Sequence, residues 1–178
     1  VNVKWTLLAN RVQARLQQMT LAGADKSRAL GALGNVLANR IRLGFRMGRD
    51  PWGNPWKPLN PRFRTGQPLR DTGRLQRSIT SQVQGDAVVV GTNVRYARTH
   101  QYGATILPKN GDVLAFPIKA AGGGMAFLKS AKIPARPFMP LSGNQVNLPQ
   151  AWARSGLKAM AKAMGLDGAG VPIQGGDQ

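Results

Sequence analysis

Apolar residues recur at helical spacing in two adjoining stretches at the start of the chain. Over residues 3–21, Trp5, Leu8, Val12, Leu16 and Met19 fall three or four apart and predict an amphipathic helix, with Arg11, Arg15 and Gln18 on another face. Gly23 ends it, and Asp25 or Ser27 is placed to cap a second helix running to about Gly48. That helix has Leu30, Leu33, Leu37, Ile41 and Phe45 as its apolar stripe. Arg42, Arg46 and Arg49 form a basic stripe at its end, where cations also suit the helix dipole. Two such helices on a short link predict an antiparallel helical hairpin over residues 1–49.

The pattern then changes twice. Residues 50–77 hold five prolines, which exclude helix and predict an extended loop. Trp52 and Trp56 in it need apolar cover, so the loop is not plainly disordered. From Ser78 the residues alternate, turn at Gly85-Asp86 and continue through the apolar run Ala87-Val-Val-Val, which predicts a β-hairpin. A short helix is expected over Val94–Tyr102, stopped by Gly103, followed by strands at Ala104–Leu107, Val113–Ile118 and Met125–Leu128. Gly122-Gly-Gly lies in a loop between the last two strands. Pro149 starts a final helix through Met164, on which Arg154, Lys158 and Lys162 share a solvated face behind Ala153, Leu157, Met160 and Met164. Residues 167–178 read as a flexible Gly-rich tail. The expectation is a single α+β domain over residues 1–166: a helical hairpin, a long Pro/Arg-rich loop, a small antiparallel sheet with a short helix, and a C-terminal helix.

Composition narrows the chemistry. The chain of 178 residues has no Cys and one His, and its seven carboxylates are scattered Asp with no Glu. Thiolate catalysis, disulfides, Cys-bearing zinc sites and multi-His metal sites are excluded, and no carboxylate pair stands ready for acid–base work. The absence of Cys fits a reducing compartment. No apolar run reaches the length of a membrane span, and Val1-Asn-Val-Lys-Trp5 lacks the core of a signal peptide. A chain opening on Val1 is expected to have lost an initiator Met.

The formal charge is +18, with Arg outnumbering Lys and cations spread from Lys4 to Lys162. Such a chain is expected beside nucleic acid, an anionic membrane or acidic proteins. The densest stretch includes Arg42, Arg46, Arg49, Arg62, Arg64, Arg70, Arg74 and Arg77, opposed only by Asp50 and Asp71. These arginines are candidates for a DNA channel or for acidic partners, and their chemistry suits phosphate and carboxylate alike. Trp52, Trp56 and Phe63 among them either stack on bases or anchor the loop to a neighbouring subunit; the second reading is favoured. No sequence-reading nucleic-acid motif and no phosphate loop is present, so any DNA contact is expected to be to the backbone. His100 lacks the partners of a catalytic triad and reads as a structural histidine.

Five stretches carry a resemblance. They are Gly53-Asn-Pro-Trp56-Lys-Pro-Leu59, Leu69-Arg-Asp-Thr-Gly73-Arg-Leu75-Gln-Arg-Ser78-Ile79, Val90-Gly-Thr-Asn-Val-Arg-Tyr96-Ala97, His100-Gln-Tyr-Gly103 and Ile133-Pro-Ala-Arg136-Pro-Phe138. In order and content they resemble the virion morphogenesis, or tail-completion, family of tailed bacteriophages, including Mu-like phages, over about residues 26–164.

The resemblance implies a structural virion protein of the head–tail junction, assembled in the host cytoplasm, with no catalysis, cofactor or membrane. It implies a homo-oligomeric ring in the neck, usually hexameric, that completes or terminates the tail and joins it to the portal complex. The implied partners are portal, adaptor or stopper proteins, the tail tube protein, and packaged double-stranded DNA passing through without sequence-specific contact. A ring around DNA, between acidic partners, tolerates a charge that a free subunit would not. Within the motifs, Gly73 supplies a turn, and Pro134 and Pro137 stiffen a segment that aims Arg136 and Phe138. Arg136 is expected to form a buried or interfacial ion pair. Trp52, Trp56, Phe63, Arg136 and Phe138 are the candidate intersubunit contacts. The rival reading is a non-specific basic nucleic-acid-binding protein.

Overall fold

Leucines and other apolar residues every three or four positions bury one face of a long helix, α1 (Lys26–Met47), in the computed structural model. The structure describes residues 3–7, 26–118, 123–143 and 145–165. The whole expected stripe, Leu30, Leu33, Leu37, Ile41 and Phe45, is buried. Ser27 lies inside α1 and does not cap it; Asp25 lies outside the described residues. Gly48, at φ 68°, ends the helix in the left-handed region, and the Arg49 N–H closes back on the Gly44 carbonyl at 3.1 Å.

Residues 3–7 depart from the expected helix. Val3–Leu7 is a strand, β1, antiparallel to β3 (Ala87–Thr92), with Val3 opposite Thr92 and Leu7 opposite Val88. Val-Lys-Trp-Thr-Leu alternates apolar and polar, a period of two that competes with the helical stripe. Pairing along β3 satisfies backbone groups that would otherwise form an open edge. The remainder of the expected first helix, through residue 21, lies outside the described residues.

The hairpin of β2 (Thr80–Gln84) and β3 forms as expected, with a two-residue turn in which Gly85 takes φ 56°. The sheet order is β1-β3-β2. Lys26 at the start of α1 pairs with Asp86 of the turn at 2.5 Å. A one-turn helix, α2 (Arg74–Arg77), precedes β2 and shortens the expected 50–77 loop, whose last proline is Pro68; α3 (Ala97–Tyr102) follows β3, stopped at Gly103. Three two-stranded ladders follow: β4 (Ala104–Ile106) with β7 (Ala131–Ile133), β5 (Leu114–Pro117) with β6 (Met125–Leu128), and β8 (Leu141–Ser142) with β9 (Gln145–Val146). The chain closes with α4 (Gln150–Ala163) behind Pro149. Its Arg154, Lys158 and Lys162 are exposed, as their shared face predicts. The Gly-rich tail, 167–178, lies outside the described residues.

The architecture is α+β, with α1 between the sheet and α4. Two glycines make that layering close. A Cβ on Gly34 of α1 would stand 3.0 Å from the Ser81 Cβ and 3.1 Å from the Val88 Cγ1. A Cβ on Gly156 of α4 would run into the Leu33 side chain. Arg40 also donates to the Ser155 hydroxyl at 2.8 Å, tying α1 to α4.

Candidate functional site

The Pro-rich loop is fixed by the side chains it brings with it. Asp50 folds its first residues into a tight turn: one carboxylate oxygen accepts the Trp52 and Asn54 N–H groups at 2.9 and 2.8 Å, the other the Asn54 amide at 2.9 Å. Trp56 is then buried edge-on to Phe45, centroids 5.4 Å apart, while Phe138 packs on Phe45 from 5.3 Å. The Trp56 indole N–H donates to the Pro137 carbonyl at 2.7 Å. One aromatic cluster thus joins the end of α1, the loop and the segment after β7. Gln67 and Gln76 add their amide groups to the Phe45, Arg46 and Arg42 carbonyls at the end of α1.

Arg136 staples the same junction. Its Nε donates to the Lys57 carbonyl at 2.7 Å and its Nη2 to the Pro58 carbonyl at 2.9 Å. It makes no ion pair among the described residues of its own chain, so the buried half of the expectation for it gives way to backbone carbonyls. The physical reason is the loop itself: prolines at 55, 58 and 61 leave a run of carbonyls without ladder partners, and a planar guanidinium bridges two of them. Beside it, the buried Gln101 accepts the Phe138 and Met139 N–H groups, both at 3.0 Å, and donates to the Met139 carbonyl.

Between loop and α3 lies a cleft of about 300 Å³. Leu59, Leu69 and Leu75 give it apolar walls; Arg64, Arg74, Arg136, Tyr96 and His100 give it a basic and polar lining. Asp71 is its one carboxylate, held by Arg64 at 3.3 Å. Leu69 is kept at φ 60°, a left-handed backbone that costs a non-glycine residue roughly 1–2 kcal/mol. His100 stands edge-on to Tyr96 at 5.6 Å, and its carbonyl accepts the Arg136 N–H at 2.7 Å. Its pKa lies below the ordinary histidine value, first because burial disfavours the imidazolium, then because Arg136 and Arg64 repel it. Among the described residues, its Nδ1 is the buried side-chain polar atom left without a hydrogen bond.

The sequence candidates therefore separate into groups. Arg42 is structural: it donates to the Ile79 carbonyl at 2.6 Å and to Asn39 at 3.0 Å, linking α1 to the entry of β2. Arg49 closes the loop onto the Gly53 carbonyl at 3.1 Å. Arg64 and Arg74 share the cleft with Arg136. Arg46, Arg62, Arg70 and Arg77 are exposed, Arg62 lying over the Phe63 ring at 5.7 Å. Trp56 and Phe138 are spent on the chain's own core, which corrects their assignment as intersubunit contacts. Trp52 stays exposed, and Phe63 meets Phe116 at 6.3 Å.

One further surface feature carries a signal in the sequence. The strands β5 and β6, Leu-Ala-Phe-Pro and Met-Ala-Phe-Leu, are apolar at every position, a pattern that calls for cover on both faces. Leu114, Phe116 and Leu128 are partly covered and Ala126 is buried, but Ala115, Pro117, Met125 and Phe127 are exposed, Phe127 to 64%. Leu107 and Val113 on neighbouring loops are exposed as well. Among the described residues, no group of three or more His, Cys, Asp or Glu is placed to hold a metal ion, and no helix is long and apolar enough to cross a membrane.

Comparison with known proteins identifies the lineage of this arrangement. The chain is similar to the Mu-like prophage FluMu G protein 2 of Haemophilus influenzae, 30% identical over 134 residues that cover 75% of this chain and 80% of that protein. No solved structure matches the chain significantly. The model of the phage virion morphogenesis family matches residues 7–155, spanning the Pro-rich loop, the aromatic junction and the cleft; the chain belongs to that family.

Proposed function

We propose that this virion morphogenesis protein is a subunit of a ring at the phage head–tail junction, completing the tail and joining it to the portal complex around the DNA path. Its work is assembly and not bond chemistry. The observation that carries the reading is the fate of the two carboxylates in residues 40–77. Asp50 is consumed by the turn it builds and Asp71 by Arg64. Arg46, Arg70, Arg74 and Arg77 are left exposed with no carboxylate partner among the described residues. A surface of that kind is completed by phosphates or by acidic proteins, and a neck ring offers both.

The β5–β6 face supplies a place for copies to meet. Residues 113–118 and 123–128 carry no charge, although Lys119 and Lys129 follow them directly, so the two strands themselves bring no cation to a face shared by two subunits. A monomer rarely leaves such a face wet, and a neighbouring copy is its proposed occupant.

Analytical ultracentrifugation of the purified protein across a salt series, with and without duplex DNA, tests the reading. The ring predicts a discrete closed oligomer, favoured as salt screens subunit repulsion, and weak DNA binding by the free subunit. A strict monomer that binds duplex tightly, with affinity falling steeply with salt, overturns it in favour of a basic nucleic-acid-binding protein.

A further inference from the structure

The cleft between the Pro-rich loop and α3 combines three guanidinium groups with apolar walls, and its single carboxylate sits on Arg64 with its side chain 70% exposed. Cations gathered in a concave site repel one another, and His100 in the same lining is held below its ordinary pKa first by burial and then by Arg136 and Arg64. A positive, partly apolar recess is completed by an anion that also carries a hydrocarbon stem.

We infer that this cleft is a carboxylate-binding site that takes a glutamate side chain from a partner protein. Depth decides between carboxylate and duplex phosphate. Arg136 in the lining is only 5% exposed, its Nε and Nη2 already directed at the Lys57 and Pro58 carbonyls. Phosphates of a duplex lie on a convex surface and meet arginines that stand out, such as Arg46, Arg70 and Arg77. A carboxylate on a two-methylene stem enters a recess of about 300 Å³, lays its methylenes against Leu59, and presents two oxygens to Arg74 and Arg64. Tyr96 belongs to the same lining, and a phenol can donate to a carboxylate. Asp71 at the rim already shows the recognition in small: a carboxylate on Arg64. The inference deepens the ring proposal by naming how an acidic partner is gripped, and it depends on that proposal only for which protein the partner is.

The chain's single histidine makes the test direct, because its imidazole resonances need no assignment. The full-length protein is titrated with a capped alanine pentapeptide bearing one central glutamate, with the glutamine counterpart, with inorganic phosphate and with a short DNA duplex. Expected are saturable His100 shifts with the glutamate peptide at a Kd of roughly 1–10 mM, and an upward move of the His100 pKa as the bound anion offsets the arginines. The glutamine peptide should bind at least about fivefold more weakly, the loss of a charge-assisted contact. Arg74→Gln should weaken glutamate binding by about five- to tenfold while Arg70→Gln, outside the cleft, leaves it unchanged; both side chains are exposed, so the fold persists. Equal shifts with both peptides, no shift with either, or shifts confined to phosphate or duplex would each overturn the inference. Ring formation can fail while the glutamate titration succeeds, and the reverse, so the two proposals stand or fall separately.

Discussion

Gly31 and Gly34 lie on the same helix, three residues apart, and alanine at each should have opposite effects. Glycine inside a helix costs about 1 kcal/mol relative to alanine, because the unfolded chain loses more backbone freedom. That gain is common to both substitutions. At Gly31 a Cβ meets nothing within 4 Å, so Gly31→Ala should stabilise by about 0.5–1 kcal/mol. At Gly34 the Cβ arrives 3.0 Å from the Ser81 Cβ and 3.1 Å from the Val88 Cγ1. Neither neighbour yields easily: Val88 is 1% exposed and held in β3 between two pairing strands. Forcing α1 off the sheet costs about 1–3 kcal/mol, which exceeds the propensity gain. The net expectation for Gly34→Ala is neutral to about 2 kcal/mol destabilising, and the two variants should differ by about 1–3 kcal/mol. Thermal unfolding reads this as a separation of roughly 2–12 °C for a chain of this size. Equal stabilisation by both alanines would refute the close helix–sheet approach on which the layering rests.

Three further outcomes follow from the junction, the cleft and the open face. Trp56→Phe keeps the contact with Phe45 but strips the donor from the Pro137 carbonyl, and should cost about 1–3 kcal/mol in urea unfolding. His100 has a lowered folded-state pKa, so the unfolded chain binds its proton first as pH falls; stability should drop below about pH 6.5 and level off below the folded pKa, and His100→Gln should flatten that part of the profile. Phe127→Ser removes an exposed ring, so it should change subunit stability by less than about 0.5 kcal/mol yet abolish the oligomer seen by ultracentrifugation.

Much of this fold was legible because its elements announce themselves locally. The five-residue stripe from Leu30 to Phe45, the Gly85-Asp86 turn and the glycine after Tyr102 each act within a few residues of where they stand. The strand at Val3–Leu7 was not legible, because Val-Lys-Trp-Thr-Leu fits both periods and the choice is made by a partner strand more than eighty residues away. The short ladders β7, β8 and β9 escaped for the same reason: two or three residues carry no periodicity of their own. In the site, the basic density of residues 40–77 was visible, but not its division of labour. Arg42 and Arg136 look like their neighbours in sequence, and only the carbonyls of Ile79, Lys57 and Pro58 turn them into structural groups. Gln101 gave no sign at all, since a glutamine that clamps two distant N–H groups reads like any surface amide.

In the proposed assembly, copies of this chain close into a collar through which the genome passes. A cryo-electron density map of the parent virion, with this chain fitted into it, measures that directly. The proposed ring should appear as a closed set of subunits between portal and tail tube, with Arg46, Arg70 or Arg77 facing the channel or an acidic neighbour, and β5–β6 covered by the adjacent copy. Density for this chain anywhere else in the particle, or as isolated copies with β5–β6 bare, would contradict it.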